Sequence, residues 1–300
     1  MTKSIKTLLN KIFRKLAVKF YSVSPRCPMA TAQAKIGQVH LYNFYKKSLA
    51  EGFRFDLTEV GYRVYSQFEE DGLLAYIFAG IGTTNRTFID IGAGNGIMSN
   101  VANLAINFGW RGLLIDGDEQ NEKTANNFYS RHPDTALYPP VFVRAFVQAD
   151  NINKIIADSG YSGEIDLISI DIDGNDYYVW ESLSVVSPRV VIIETHTEFG
   201  MNNIVVPYNK DYCYPGRHPD YHGASPVAMV GLAKRKGYRL IGSNNYGFNT
   251  IYMKNGVGED LFPEILVEQV LMHPRNAVRA KLFEPIKSWE YFRPDAESRS

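Results

Sequence analysis

Phe88-Ile89-Asp90-Ile91-Gly92-Ala93-Gly94-Asn95-Gly96 is the stretch whose reading decides the fold. A hydrophobic run from Thr87 to Ile91 carries Asp90 near its end, and three glycines then alternate with small residues. This reads as a buried strand entering a tight turn beneath a nucleotide-like ligand, since glycine is needed where backbone takes positive φ or approaches a ligand closely. A tight turn with no ligand is the alternative. Outward from the loop, Met98–Phe108 places Val101, Leu104, Ala105 and Phe108 on one helical stripe, and Gly109 ends it. Leu113–Asp116 reads as the next strand. Asp116 lies 20 residues past Gly96, where a nucleotide-binding α/β unit places the acid that accepts ribose hydroxyls.

The glycine spacing separates two kinds of loop. Dinucleotide-binding loops favour G-x-G-x-x-G, whose helix N-terminus holds a pyrophosphate. Here the pattern is G-x-G-x-G with an acid two residues ahead. It resembles the first motif of class I S-adenosylmethionine-dependent methyltransferases, whose ligand carries a sulfonium and an α-ammonium in place of phosphate. Asp90 suits such a ligand and would repel a pyrophosphate. The resemblance implies S-adenosylmethionine as cofactor and Asp90, Gly92, Gly94, Gly96 and Asp116 as residues that bind it. Phe146, at the end of the third strand, falls where such folds contact adenine; a plain core phenylalanine is the other reading.

Further strands are expected at Val141–Val147, Ile165–Ile170 and Val190–Ile193, with Tyr238–Ile241 and Asn249–Met253 pairing as a last hairpin. Helices are expected over 119–130, from Asn151 to Asp158, and over Pro226–Lys236. Ser66 and Glu69 have the spacing of a capping box ahead of an apolar helix, Leu73–Ala79. The alternation predicts a Rossmann-like α/β fold: a mostly parallel seven-stranded sheet with helices on both faces. Ligands of such sheets sit past the carboxyl ends of the strands, which would gather Asp90, Asp116, Asp171 and Glu194 in one crevice. Residues 22–33 read as a linker, 36–65 show no clear period, and 261–290 look helical. The stretch 200–224, rich in Tyr, Pro, Asn and Gly, is long enough to be a functional or mobile loop. The expected organisation is a basic helical extension over 1–60, the cofactor-binding domain over 61–257 and a helical extension over 258–300.

Asp171, Asp173 and Asp176 crowd the end of the fourth strand, and the fifth ends in Glu194-Thr195-His196. Like charges this close raise one another's pKa or collect a cation, and Mg2+ takes carboxylate oxygens while keeping waters for substrate to displace. Asp171 and Glu194 are candidates for metal or substrate contact. Capping a helix or turn is the competing role, favoured for Asp176. The run from Ser66-Gln67 through Asp71-Gly72, the loop Asp90–Gly96 and Ile170-Asp171-Ile172-Asp173-Gly174 resemble FkbM-type methyltransferases over about residues 62–254. Asp171–Tyr177 is also similar to the metal motif of caffeoyl-CoA-type O-methyltransferases. There Asp171 would match the first ligand and Glu194-Thr195 the acid–amide pair, with Glu for Asp and Thr for Asn. These resemblances imply methyl transfer to a hydroxyl of a sugar, glycan or related small molecule, in surface-polysaccharide synthesis as the first expectation. The hydroxyl proton would be made acidic by a metal at Asp171 and Glu194, or taken directly by His196, His222 or Asp173. As a lone loop histidine, His222 has a structural role as its alternative.

Composition is that of an ordinary globular chain, 45% hydrophobic and 21% charged. Cys27 and Cys213 make neither a disulfide framework nor a metal-type C-x-x-C, so a reducing cytoplasm is the expected compartment. No apolar run approaches a membrane span. The net charge of zero hides an asymmetry: residues 1–50 hold eight Lys, two Arg and no acid, leaving the rest net −10. Ile5–Tyr21 reads as a basic amphipathic helix, suited to an anionic membrane surface or a partner. It would otherwise pack on its own domain, and a targeting peptide ranks last. A nucleic-acid substrate is not expected, since the globular part is acidic and no N/D-P-P-Y/F motif follows the fourth strand. Two other functions compete: a non-catalytic methyltransferase-like docking protein, and an NAD-dependent oxidoreductase, against which the loop spacing argues.

Overall fold

Seven strands form one sheet in the computed structural model, which describes residues 28–294. They are β1 (Thr87–Ile91), β2 (Arg111–Asp116), β3 (Val141–Arg144), β4 (Gly163–Ile170), β5 (Val186–Glu194), β6 (Tyr238–Ser243) and β7 (Asn249–Lys254). Their order is β3-β2-β1-β4-β5-β7-β6. Strands β1 to β5 pair in parallel, and β7 runs antiparallel to both β5 and β6. This is a Rossmann-like α/β fold, a mostly parallel sheet that ends in an antiparallel hairpin. Its order reverses at β1, between β2 and β4, so the crevice opens past the carboxyl ends of those three strands.

The longer helices are α1 (Pro28–Ala50), α2 (Glu70–Ile81), α3 (Ala102–Phe108), α4 (Glu119–Tyr129), α5 (Ile152–Asp158), α6 (Asp176–Ser182) and α7 (Pro226–Arg235). Ile89, Ile91, Leu113, Ile115, Ile168, Ile170, Val191 and Ile193 alternate along their strands and pack in one buried cluster with residues of α5, α6 and α7. The residues between them face the other way. There Ser99 and Asn100, just ahead of α3, bond Asp90 and Ser169, and Leu114 meets Gly96 beside Ala125 and Tyr129 of α4. Helix α2 is buried from Glu70 to Ala79. The chain divides into two compact units, residues 1–41 and Tyr42 onward; the second carries the whole sheet. Among the described residues no helix is long and apolar enough to cross a membrane. The basic stretch Ile5–Tyr21 lies outside the described residues.

Several local expectations are corrected. Residues 28–33, read as linker, belong to α1, which runs on to Ala50 through the first part of the stretch that showed no period. Its aromatics Tyr42, Phe44 and Tyr45 are nearly consecutive, so no i, i+3, i+4 stripe emerges. Residues 261–290, expected to be helical, hold short helices at Val267–Val270, Pro274–Arg279 and Ala280–Leu282 and no long one. Pro263, Pro274 and Pro285 each remove a backbone donor and interrupt any longer helix. The helix expected from Met98 starts at Ala102, and β3 stops at Arg144, short of Phe146. The capping partner of Ser66 is Asp71, not Glu69. The Asp71 N–H donates to Ser66 Oγ (3.2 Å), while Asp71 Oδ2 accepts N–H groups from Val64, Tyr65 and Ser66 at 2.6–2.9 Å. Burial pushes the Asp71 carboxyl up to about 6 against those bonds.

Candidate active site

The three loop glycines answer to three different demands. A Cβ on Gly92 (φ +82°) would lie 1.6 Å from the Asp171 carbonyl oxygen, so the ends of β1 and β4 touch only because that side chain is missing. Gly96 leaves room for Leu114, Ala125 and Tyr129, which seat α4. Gly94 (φ +53°) faces open space, the backbone surface a ligand can approach. Its N–H donates to Asp116 Oδ2 at 3.0 Å. Asp116 Oδ1 accepts the Asp118 N–H and Asn121 Nδ2, so one carboxylate ties the loop to the start of α4. Past it, Phe146 is 74% exposed with its ring against Gly117, which removes the core reading of this residue. Gly94, Asp116 and Phe146 therefore line one side of the crevice. Asp90 does not join them. It is 3% exposed, 2.5 Å from Ser99 Oγ, and burial pushes its carboxyl up to about 6. In this structure it holds the turn before α3, and its charge is close enough to raise the Asp171 carboxyl.

The other side of the crevice is acidic. Carboxylate oxygens of Asp171, Asp173 and Glu194 lie within 4.8 Å of one another. Burial first, then the neighbouring carboxylates, raises the pKa of both Asp171 and Glu194 well above the usual range. Asp173 takes a left-handed conformation (φ +56°) in a turn organised by Asp176, whose two oxygens accept the Ile172 and Gly174 N–H groups. Asp176 thus fills the capping role. Thr195 does not extend the acid cluster as the second half of a ligand pair. Its backbone bonds Phe248, and its hydroxyl turns to the carbonyls of Gly247 and Phe248.

His196 sits beside the acids, 5% exposed. Its Nδ1 is 3.1 Å from Glu198 Oε1 and its Nε2 is 3.8 Å from Glu194 Oε2. Glu198 Oε2 in turn accepts from Arg279 at 3.0 Å. Burial works to raise the Glu198 carboxyl, but His196 and Arg279 outweigh it and hold it at about 2. The His222 ring meets His196 edge to face at 4.1 Å, and burial pushes its pKa down to about 3. Tyr212 stacks on His222 at 6.2 Å, its ring lodged against Gly174 and Gly216. Glu194 Oε2, His196 Nε2, Tyr212 Oη and His222 Nδ1 are all buried with no hydrogen-bond partner. Leaving a buried polar group unpaired costs about 1–3 kcal/mol, so four of them side by side mark a place built for a polar ligand. Aromatic rings stand nearby: Tyr214 against His222, and Phe68 against Tyr246 and Phe248.

The structure brings Asp171, Asp173, Glu194, His196 and His222 together and sets Gly94, Asp116 and Phe146 on the adjoining wall. Glu198, Arg279 and the specific place of Tyr212 escaped the sequence reading. The alternation Glu194-x-His196-x-Glu198 was a usable signal for the first. Nothing local pointed to Arg279, 81 residues away. Glu70 was also missed; it is fully buried and accepts from Asn244 and Asn249.

The sequence matches no protein-family profile and no curated protein. Solved structures that it is similar to include methyltransferases. One is an O-methyltransferase family protein from Burkholderia thailandensis, 15% identical, TM-score 0.37, covering 57% of this chain and 52% of that one. Another is the methyltransferase domain of bacterial CtHen1-C, 14% identical, TM-score 0.40, covering 61% and 96%. A third is the O-methyltransferase from Bacillus cereus in complex with SAH, 14% identical, TM-score 0.37, covering 56% and 72%. The match thus spans about half the length of the Burkholderia protein. At such scores the likeness carries no argument about chemistry, which has to come from the site.

Proposed function

We propose that this chain is an S-adenosylmethionine-dependent O-methyltransferase acting on a hydroxyl of a sugar, glycan or related small molecule. The observation that carries the reading is the set of four unpaired buried polar atoms beside three converging carboxylates, directly across the Gly92–Asp171 contact from the open Gly94–Asp116 wall. Gly94, Asp116 and Phe146 would hold the cofactor, by backbone approach, carboxylate and ring face. The cofactor, when bound, supplies the electrophilic methyl group. On the acid side the chain orients the acceptor hydroxyl toward it, and positioning of this kind provides much of the rate. Asp173 would take the hydroxyl proton, and His222, kept neutral by burial, would orient the acceptor. The residues also fit a divalent cation: Asp171, Asp173 and Glu194 converge, and one Glu194 oxygen has no partner. An ion there would make a bound hydroxyl more acidic. The aromatic rings suit the flat faces of a sugar, and the prevailing negative charge disfavours an anionic acceptor.

Calorimetric titration tests the cofactor. S-adenosylmethionine should bind with micromolar affinity, and Asp116→Ala or Gly94→Val should weaken it at least tenfold in protein that still folds by circular dichroism. Binding of NADH instead would favour the oxidoreductase reading. Tight binding without turnover on any hydroxyl acceptor would favour a docking protein. We propose further that the basic stretch Ile5–Tyr21 holds the enzyme at an anionic membrane surface near a lipid-linked acceptor. Removing residues 1–21 should abolish sedimentation with anionic liposomes; unchanged sedimentation would overturn that.

A further inference from the structure

Tyr212 reaches the acid site from the long segment between β5 and α7. Two side chains tie that segment to the loops after β4 and β3: Asn175 Nδ2 donates to the Asn209 carbonyl at 2.9 Å, and Gln148 Nε2 to the Lys210 carbonyl at 3.1 Å. The Tyr212 N–H closes a turn on the Asn209 carbonyl at 3.1 Å. The ring itself is clamped. A Cβ on Gly174 would lie 2.5 Å from its Cε1 and one on Gly216 2.5 Å from its Cε2, while His222 stacks on its face. Phenylalanine would fill this clamp equally well. What tyrosine adds is Oη, which is buried with no hydrogen-bond partner. An unpaired buried hydroxyl is a net cost to the fold, so its use lies with a ligand. Burial, and then the charge of Asp173, raise its pKa above the ordinary value, so it stays a protonated donor.

We propose that Tyr212 Oη donates to an oxygen of the acceptor next to the hydroxyl that is methylated, so that the acceptor is a vicinal diol, such as two adjacent hydroxyls of a sugar ring. This rests on the methyltransferase reading of the site and names the part of the acceptor that the site recognises. In the transfer the acceptor oxygen gives an electron pair to the methyl carbon, the carbon–sulfur bond breaks with its pair left on sulfur, and the hydroxyl proton passes to Asp173. A phenol donating to that same oxygen would occupy an electron pair without removing the proton. Donating to its neighbour instead holds the substrate in place and leaves the nucleophile free.

The test uses the full chain, radiolabelled S-adenosylmethionine, and the methyl pyranosides of glucose, galactose and mannose with their monodeoxy analogues. Transfer to at least one glycoside is expected, and loss of the hydroxyl adjacent to the methylated position should raise KM about tenfold or more. Tyr212→Phe should raise KM for the parent glycoside by a similar factor, abolish the difference between parent and deoxy acceptor, and leave cofactor affinity by calorimetry unchanged. With no acceptor present it should raise Tm by about 2–4 °C, because an unpaired buried hydroxyl is gone. A fall in Tm, a weakened cofactor affinity, or a deoxy penalty that survives Tyr212→Phe overturns the inference and leaves the methyltransferase reading standing. So does the absence of that penalty in the unmodified protein, or transfer to none of the glycosides by protein that binds the cofactor. Failure to bind S-adenosylmethionine overturns both.

Discussion

Replacing Asp166 with alanine is expected to destabilise the protein by about 3–5 kcal/mol, the range for stranding a buried charge. Asp166 lies near the start of β4 and is fully buried. Its carboxylate accepts the N–H groups of Thr84, Asn85 and Arg86 at 2.7–3.0 Å, the Thr84 hydroxyl at 3.1 Å, and Arg189 Nη1 at 2.8 Å. Arg189, on β5, also donates to the carbonyls of Ile81 and Gly82. One side chain thus pins the turn before β1, the start of β4 and the body of β5. Alanine leaves three N–H groups without this acceptor and removes the counter-charge of Arg189. Burial alone would raise the Asp166 carboxyl, yet these donors hold it below its ordinary value. A depressed carboxyl contributes stability that is present above its unfolded pKa, about 3.9, and is lost as pH falls through the folded value. The unmodified protein should therefore lose this contribution below about pH 4, and Asp166→Ala should not. Urea unfolding at pH 7 and pH 3 reads both. A loss under 1 kcal/mol at neutral pH would show that the acceptors are replaced by water at little cost.

The opposite sign is expected at the crevice. Asp171→Asn should stabilise the chelator-treated protein by about 1–2 kcal/mol, the usual gain when a functional site is relieved of strain. Asp171 is surrounded by Asp176, Asp173, Asp90 and Glu70, and all of these raise its pKa after burial has done so. Neutralising it removes repulsion from these neighbouring carboxylates. The change corresponds to about 2–8 °C in Tm for a domain of this size. The same substitution should lower methyl transfer on the order of 100-fold or more. Saturating Mg2+ should raise the Tm of the unmodified protein by mass action and leave Asp171→Asn unmoved. Thermal unfolding with and without the ion checks this, and a fall in Tm for Asp171→Asn in chelator would mean that the carboxylate is a structural acceptor.

By itself the sequence determined the sheet, the glycine loop and the acids at the strand ends. These rest on local rules: apolar runs of strand length, glycines where the chain must turn, and an acid that ends a strand. The alternation of strands and helices also implied a mostly parallel sheet with a final hairpin, while the order of the strands came from the structure. Tertiary structure alone decided which acids meet one another. Asp90 and Asp171 look alike at the ends of their strands, yet one is turned into Ser99 and the other meets Asp173 and Glu194. The pleat, the neighbouring serine and the turn made by Asp176 choose between them, and none of these is a property of a single residue. The same holds for the chain Glu194, His196, Glu198 and Arg279, whose last member comes from a proline-broken segment read as plain helix. Periodicity reports which face of an element is buried; it does not report which distant side chain will arrive to satisfy the charge placed there.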